Sequence, residues 1–366
     1  MTQKCVALLG RRDTPTDAVE EYCRFLGAAL TQHGYEIEIA RVPWAERGWN
    51  AALSELRRDS RNWRDARVLL QYTALAWSRR GFPSRVLRAM DILRDAGACV
   101  GVVFHDGEPF AGARLVDRLR RRAQLRVMHE ALRRAEPAIF TVALDHVSWR
   151  TEEFARAMFI PVGAILPEQA IVSAKVAANI VDNRGLTVAV YGVTGGPSGQ
   201  AEIQTIVTGM RFAAEQLANL RLVVVGRNSA AVEQDFRRAL QGTAIDLRVL
   251  GVLPAAEIAN VLSEADVLLF VRGEISTRRG SAIAGIACGL PVVTFVGAET
   301  APPITAAGLA LYERDKPNDF SGVLFKVLSD SEYRASLAAR SRAAQRQYFS
   351  WDAIAASYAT VLRKVS

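Results

Sequence analysis

The stretch VLLFVRGEISTRRGSAIAGIACGLPVVTFV, residues 267–296, reads as a strand–helix–strand unit. Two short β-rich apolar runs, VLLFV and VVTFV, flank a basic, glycine-containing loop and a compact apolar segment. Both runs lack the polar alternation of a half-solvated strand, so both belong inside a parallel sheet covered on its two faces. Between them Ser281 stands where an N-cap is expected for a helix over 282–288. Gly289 fits the left-handed position past its end, and Pro291 stops it. The amino end of such a helix carries unpaired N–H groups and the positive end of the helix dipole, and Arg278, Arg279 and Gly280 immediately precede it. An anion such as a phosphate or diphosphate suits that corner; the alternative is a solvated basic loop on an ordinary helix.

The same rhythm extends outward in both directions. In the first half, strands are expected near 6–9, 36–40, 68–72, 99–104 and 138–142; in the second, near 187–191, 220–225, 247–250, 267–271 and 292–295, with helices between. FIPVGAILPEQ, residues 159–169, has the prolines and glycine of a hinge. The expected organisation is therefore α/β: two doubly wound, Rossmann-like domains over 1–165 and 166–348, facing a central cleft, followed by an amphipathic helix at the C-terminus. Ligands of such sheets sit beyond the carboxyl ends of the strands, so function is sought in the loops that follow them.

Composition narrows the classes. The 366 residues are 50% hydrophobic and 23% charged, a globular balance with room for two domains. No run of about 18 apolar residues occurs, and the opening MTQKCVALLG is short for a secretory signal. Cys5, Cys23, Cys99 and Cys288 lie far apart without a CxxC pair or a neighbouring histidine at ligand spacing, which argues against structural zinc and a disulfide framework and fits a reducing cytoplasm. The net charge is +8, almost all of it arginine. Residues 114–134 carry eight arginines against Asp117 and Glu130, a local excess of six. That segment is either a solvated helical face or a contact for anionic lipid at the inner membrane leaflet. No helix-turn-helix, RRM or KH signature accompanies the charge, so nucleic acid is not an expected partner.

IACGLPVV, preceded by DLRVLGVLPAAEIANVLSEADVLLFV and followed by a segment containing YFSWDAIAASY, resembles the nucleotide-binding domain of retaining glycosyltransferases of family 4, which have the GT-B fold. The opening VALLGRRDTPTDAVEEYCRFLGAALTQHGYEIEIARV is similar to that family's first strand, acceptor-side loop and first helix, and VVFHD, residues 102–106, resembles its strand-end His-Asp. The resemblance spans nearly the whole chain, and it implies that the C-terminal helix, residues 349–366, packs back on the first domain. It implies transfer of a sugar from a nucleotide diphosphate sugar to a glycan, lipid-linked or small-molecule acceptor with retention, a hexosyltransferase-type activity of polysaccharide biosynthesis. Departures are equally plain. Members usually carry two glutamates eight positions apart, and the aligned positions here are Ser276 and Ala284. The family's Arg and Lys after the first strand of this domain have no match in VAVYGVTGGPSGQAEI.

A leaving nucleoside diphosphate accumulates negative charge in the transition state, so cations or N–H donors must surround it. The donor-side candidates are Gly195, Gly196, Gly199, Arg227, Ser276, Thr277, Arg278, Arg279, Gly280 and Ser281. Glu274 either reaches the donor sugar hydroxyls or pairs with a neighbouring arginine. His105, ending a strand, is expected to hydrogen-bond donor sugar or acceptor, with Asp106 orienting it or acting as acceptor-side base. Arg11, Arg12 and Asp13 follow the first strand ahead of a helix that Thr16 or Asp17 can cap, and form the acceptor side. Tyr72 either stacks on a sugar ring or belongs to the core. No metal and no cofactor beyond the donor is expected, because arginines and a helix dipole supply the positive charge. The competing readings are a non-catalytic protein of the same fold, binding nucleotide or sugar or supporting a partner enzyme, and a nucleotide-sugar epimerase.

Overall fold

The computed structural model describes residues 2–14, 16–171, 185–314 and 316–364. The chain forms two compact units, Met1–Val162 with Trp351–Ser366, and Gly163–Ser350. Each is built on a six-stranded sheet in which every pairing is parallel.

In the first unit the strands are β1 Gln3–Leu9, β2 Tyr35–Arg41, β3 Arg67–Tyr72, β4 Cys99–Phe104, β5 Ala138–Phe140 and β6 Ala157–Phe159, in the order β2-β1-β3-β4-β5-β6. Helix α1, Ala18–Leu30, follows β1. It starts where it does because the Asp17 carboxylate accepts the main-chain N–H groups of Val19 and Glu20, as an N-cap should. Helices α2 Trp49–Asp59, α3 Val86–Asp95 and α4 Leu115–Arg134 supply the remaining cover. Val6, Leu8, Val68, Leu70, Val102, Phe104 and Phe140 make the centre of the core against Trp77, Met90, Met128 and Trp149.

The second unit contains β7 Thr187–Tyr191, β8 Arg221–Val225, β9 Asp246–Gly251, β10 Val267–Phe270, β11 Val292–Phe295 and β12 Leu309–Tyr312, ordered β12-β11-β10-β7-β8-β9. The covering helices are α5 Pro197–Ala214, α6 Glu233–Ala239, α7 Ala255–Ser263, α8 Gly280–Ala287, α9 Pro317–Ser329 and α10 Ser331–Ala344. Central strands such as TVAVY, VLLF and VVTF are buried nearly throughout, as strands covered on both faces must be. The last helix, α11 Trp351–Lys364, packs on α1 within the first unit. There Tyr22 and Tyr358 share a buried hydrogen bond of 2.7 Å, and Phe25 stacks on Trp351 at 5.5 Å.

The α/β class and the two doubly wound sheets agree with the sequence reading. Two edge strands, β6 and β12, escaped it: each has only three or four residues and merges with an irregular approach. The strand expected to reach 142 ends at Phe140, where the Thr141 hydroxyl donates to the Phe104 carbonyl. Helix α8 begins at Gly280 with Arg279 in the N-cap position, so Ser281 lies in its first turn and does not cap it. No helix among the described residues is long and apolar enough to cross a membrane.

Candidate functional site

In a doubly wound sheet the crevice opens where the strand order reverses, because the loops leaving the two strands there run in opposite directions. In the second unit that point lies between β7 and β10. The loop after β10 brings three guanidinium groups to it, and they are not equivalent.

Arg278 is already paired. Its Nε and Nη2 each donate over 2.8 Å to the two carboxylate oxygens of Glu299, which is 8% exposed. Burial alone would push Glu299 up, but the Arg278 hydrogen bond and charge, the Ser276 hydroxyl and Arg279 outweigh it and hold the carboxyl below its ordinary range. Arg272 and Arg279 differ. Arg272 Nη2 donates to Ser281 Oγ at 3.4 Å, and Arg279 Nε donates to the Glu274 carbonyl at 3.2 Å. Among the described residues neither makes a salt bridge to a carboxylate. Burial pulls both guanidinium groups below their usual value; Arg278 and Arg272 repel the charge of Arg279 while Glu299 and Glu274 attract it, and at Arg272 the attraction of Glu202 and Tyr191 opposes burial and the repulsion of Arg227. These half-buried cations crowd together at the amino end of α8. An anion there gains their attraction and relieves their mutual repulsion.

The loop after β7 is shaped to admit Arg272. Gly192 has φ +80°, and a Cβ on it would stand 2.8 Å from Arg272 Nη1, so a side chain would displace the guanidinium. Neither Gly192 nor Arg272 was singled out in the sequence. The available signal was position alone: each lies within two residues of the end of a central strand. Of the expected donor-side glycines, Gly195 and Gly196 are exposed in the turn leading to α5, where Gly196 is the N-cap residue. Gly199 is buried in the first helical turn, where a Cβ would overlap the Thr194 carbonyl, so packing accounts for it. Arg227 is half-buried in the turn after β8. Gly280, the first residue of α8, is half-buried with open space where a Cβ would be.

Other expected contacts are corrected by burial. Ser276 and Thr277 are 0% and 2% exposed, folded under the loop, and Ser276 faces Glu299. Among the described residues Glu274 makes no side-chain salt bridge: its Oε2 accepts the main-chain N–H of Glu299 at 3.3 Å, and its carboxylate packs on Gly297. Ala284, where the resemblance would place a glutamate, is buried at 1% exposure within α8.

In the first unit the order reverses between β1 and β3, and a cavity of about 310 Å³ occupies that point. Arg11, Asp13, Asp17, Gln71, Thr73 and Asp106 supply its polar lining. Gly10 allows the loop after β1 to close on the loop after β3, where the Arg11 N–H donates to the Ala76 carbonyl at 2.8 Å. Of the residues singled out in the sequence, Arg11, Asp13 and Asp106 line this one cavity, together with Asp17, Gln71 and Thr73. Arg12 does not line the cavity. It turns to the largely buried Glu20, 2.9 Å away, which also takes Arg24 and Arg41 at 2.7 Å each. The Arg24 hydrogen bond leads, against burial, in pulling the Glu20 carboxyl down to about 2.

His105 sits behind this lining. Its Nε2 meets Gln71 Oε1 at 2.8 Å, and its ring meets Tyr22 edge-on at 5.1 Å. Since the Gln71 amide nitrogen donates to the Leu69 carbonyl, the histidine carries its proton on Nε2. Burial lowers its pKa to about 4, against the charge of Asp17, so the ring is neutral at pH 7. Tyr72 is a core residue, fully buried with its ring 5.4 Å from Phe104.

Neither a family model nor a curated protein matches the chain. Solved structures do. HepE from Anabaena, in complex with UDP and glucose, is 16% identical over 99% of this chain and 100% of its own, with a TM-score of 0.64. Sucrose-phosphate synthase from Thermosynechococcus elongatus is 17% identical over 99% of each chain, at 0.70. The UDP-forming α,α-trehalose-phosphate synthase from Burkholderia vietnamiensis is 12% identical over 100% of this chain and 97% of its own, at 0.66. At these identities the likeness establishes the fold: two parallel six-stranded sheets with covering helices, the GT-B architecture of glycosyltransferases.

Proposed function

We propose that the protein is a glycosyltransferase that takes its sugar from a nucleoside diphosphate donor and transfers it with retention to a hydroxyl-bearing glycan or lipid-linked acceptor. The observation that carries this reading is the pair Arg272 and Arg279, two half-buried guanidinium groups at the amino end of α8 that form no salt bridge to a carboxylate among the described residues. A diphosphate brings the compensating charge. As the glycosidic bond to the donor breaks, negative charge grows on the leaving phosphate, and cations fixed in a partly dry site stabilise it most at that moment. The fold neighbours that bind UDP, or form it, support the same choice of ligand.

The acceptor belongs, in this reading, in the cavity of the first unit. Its carboxylates, the Gln71 amide and the Thr73 hydroxyl suit the donors and acceptors of a polyol. Asp106 lines that cavity with Asp13 and Asp17 and is assigned to accept a hydrogen bond from the acceptor hydroxyl, while His105, neutral and tied to Gln71, positions the amide. Arginines supply the charge at the diphosphate, so transfer is expected to continue in the presence of a chelator.

The decisive experiment incubates purified protein with a panel of UDP-, GDP- and ADP-sugars, with and without simple glycosides. Proton NMR then follows release of nucleoside diphosphate and the anomeric configuration of any product. A new glycoside with the donor's configuration supports the proposal; release of an altered sugar nucleotide without acceptor points to an epimerase. One observation favours a non-catalytic alternative: Ser276 and Ala284 replace both carboxylates of the resembled family. Tight nucleotide binding without turnover on any donor would decide for it.

A further inference from the structure

Helix α4 turns one face inward, burying Gln124, Val127, Met128, Ala131 and Leu132. Its outward face carries Leu115, Arg118, Leu119, Arg122 and Arg126, spaced i, i+3, i+4, i+7 and i+11, which is one helical stripe. Leu115 is 77% exposed and Leu119 59%, with Val116 at 46% and Phe110, in the loop before the helix, at 47%. Large apolar side chains thus stand in water at the tip of the most basic segment of the chain.

The charged residues of the stripe are all arginines, and the acidic groups beside it are engaged: Glu108, next to Phe110 in the wall of an adjoining cavity, accepts from Ser148 Oγ at 2.6 Å. Asp117 points inward, accepting from Arg120 Nη1 at 2.8 Å and from the Arg114 main-chain N–H at 3.2 Å. Glu130 is held by Arg133 and Arg134 at the far end. The loop 79–82 is tied to the helix, because Arg120 Nε donates to the Arg80 carbonyl and Gln124 Nε2 to that of Gly81, each at 2.9 Å. It adds exposed Arg79 and Arg80 and the 39%-exposed Phe82 to the same end.

We infer that this end of the first unit, Phe110 with the first two turns of α4, is a docking surface for an anionic lipid bilayer. The boundary between headgroups and acyl chains takes up both parts of the face, the leucines below and the arginines level with the phosphates. A second copy of the chain would set arginines against arginines. A cavity of about 390 Å³, whose lining includes Arg79, Arg80, Glu108, Phe110 and Arg120, opens among these residues and shares Leu75 and Asp106 with the 310 Å³ cavity, which suits a substrate presented from a membrane.

The test is co-sedimentation of the full chain with phosphatidylcholine vesicles, with and without phosphatidylglycerol, at low and high salt. Binding is expected only to the phosphatidylglycerol vesicles and should weaken as salt shortens the screening length. Arg118→Gln with Arg122→Gln should lower the partition coefficient about thirty-fold, from two lost headgroup contacts. Leu115→Ser with Leu119→Ser should lower it at least about ten-fold without changing the charge. Both pairs lie on the exposed face, and unchanged circular dichroism and melting temperature establish that the variants fold. Failure to sediment with phosphatidylglycerol vesicles at low salt would overturn the inference, as would undiminished binding by either double variant. Self-association that the serine pair abolishes would do the same, by assigning the face to a second copy. No sugar nucleotide is present, so the outcome is independent of the donor-site proposal.

Discussion

Replacing Arg278 and Arg279 one at a time should produce opposite phenotypes, although the two residues are adjacent. Among the described residues Arg279 has no carboxylate partner, so Arg279→Ala removes the proposed charge-assisted contact to the ligand and one hydrogen bond to the Glu274 carbonyl. Such contacts are worth about 1.5–3 kcal/mol, so UDP should bind about ten- to a hundred-fold more weakly while the melting temperature stays within a degree or two or rises, because a repulsive neighbour has gone. Arg278→Ala instead strips Glu299 of its bidentate partner. Breaking a fully buried pair costs about 3–5 kcal/mol, and since the Arg278 side chain is 23% exposed a value of about 2 kcal/mol is appropriate. For a unit of this size that corresponds to a melting temperature about 4–8 °C lower. UDP affinity, measured below the transition, should change less than about three-fold. Titration calorimetry and differential scanning calorimetry on the two variants read both quantities. The reasoning is refuted if Arg278→Ala, still folded, loses ten-fold or more in affinity while Arg279→Ala binds normally.

Arg272→Ala should resemble Arg279→Ala in calorimetry, and Gly192→Ala should reproduce the affinity loss without removing any charge. Its Cβ meets the Arg272 guanidinium, and its φ of +80° adds about 1 kcal/mol of strain, visible as a lower melting temperature. His105→Gln tests the neutral histidine through pH. Between pH 4 and 6.5 the unfolded chain binds a proton that the folded chain refuses, so His105 lowers stability as pH falls through this window. Its contribution is complete above 6.5, and at most about 3 kcal/mol is lost near pH 4. Denaturant midpoints of the wild type should therefore fall more steeply than those of His105→Gln across that range; parallel curves would show the ring to be protonated in the fold. Glu20→Gln should destabilise at neutral pH, where Arg12, Arg24 and Arg41 lose their common partner. The difference should fade only as acidification from about 4.5 towards 2 protonates the wild-type carboxyl.

What the sequence disclosed was what local pattern can encode. Strand positions follow from short, fully apolar runs, and the start of α1 follows from Asp17 and two donors within three residues of it. The basic approach to α8 was legible for the same reason. Pairings across the fold were not. Arg278 and Arg279 differ only because Glu299, arriving after the next strand, lies within reach of one of them. Arg272 gains its place from Gly192, eighty residues earlier, through the adjacency of β7 and β10. His105 is held by Gln71 because β3 and β4 are neighbours, with Tyr72 registered on Phe104. The apolar tip of α4 was hidden for another reason: a helix of low amphipathicity does not announce which of its leucines face water, and only packing of the opposite face against the sheet decides it.

The central claim is that Arg272 and Arg279, with the amino end of α8, hold a diphosphate. Its most direct test is a crystal structure of the protein soaked with UDP. Phosphate oxygens within hydrogen-bond distance of both guanidinium groups and of the first-turn N–H groups of α8 are the expected result. A nucleotide bound with its phosphates away from both arginines would contradict the account.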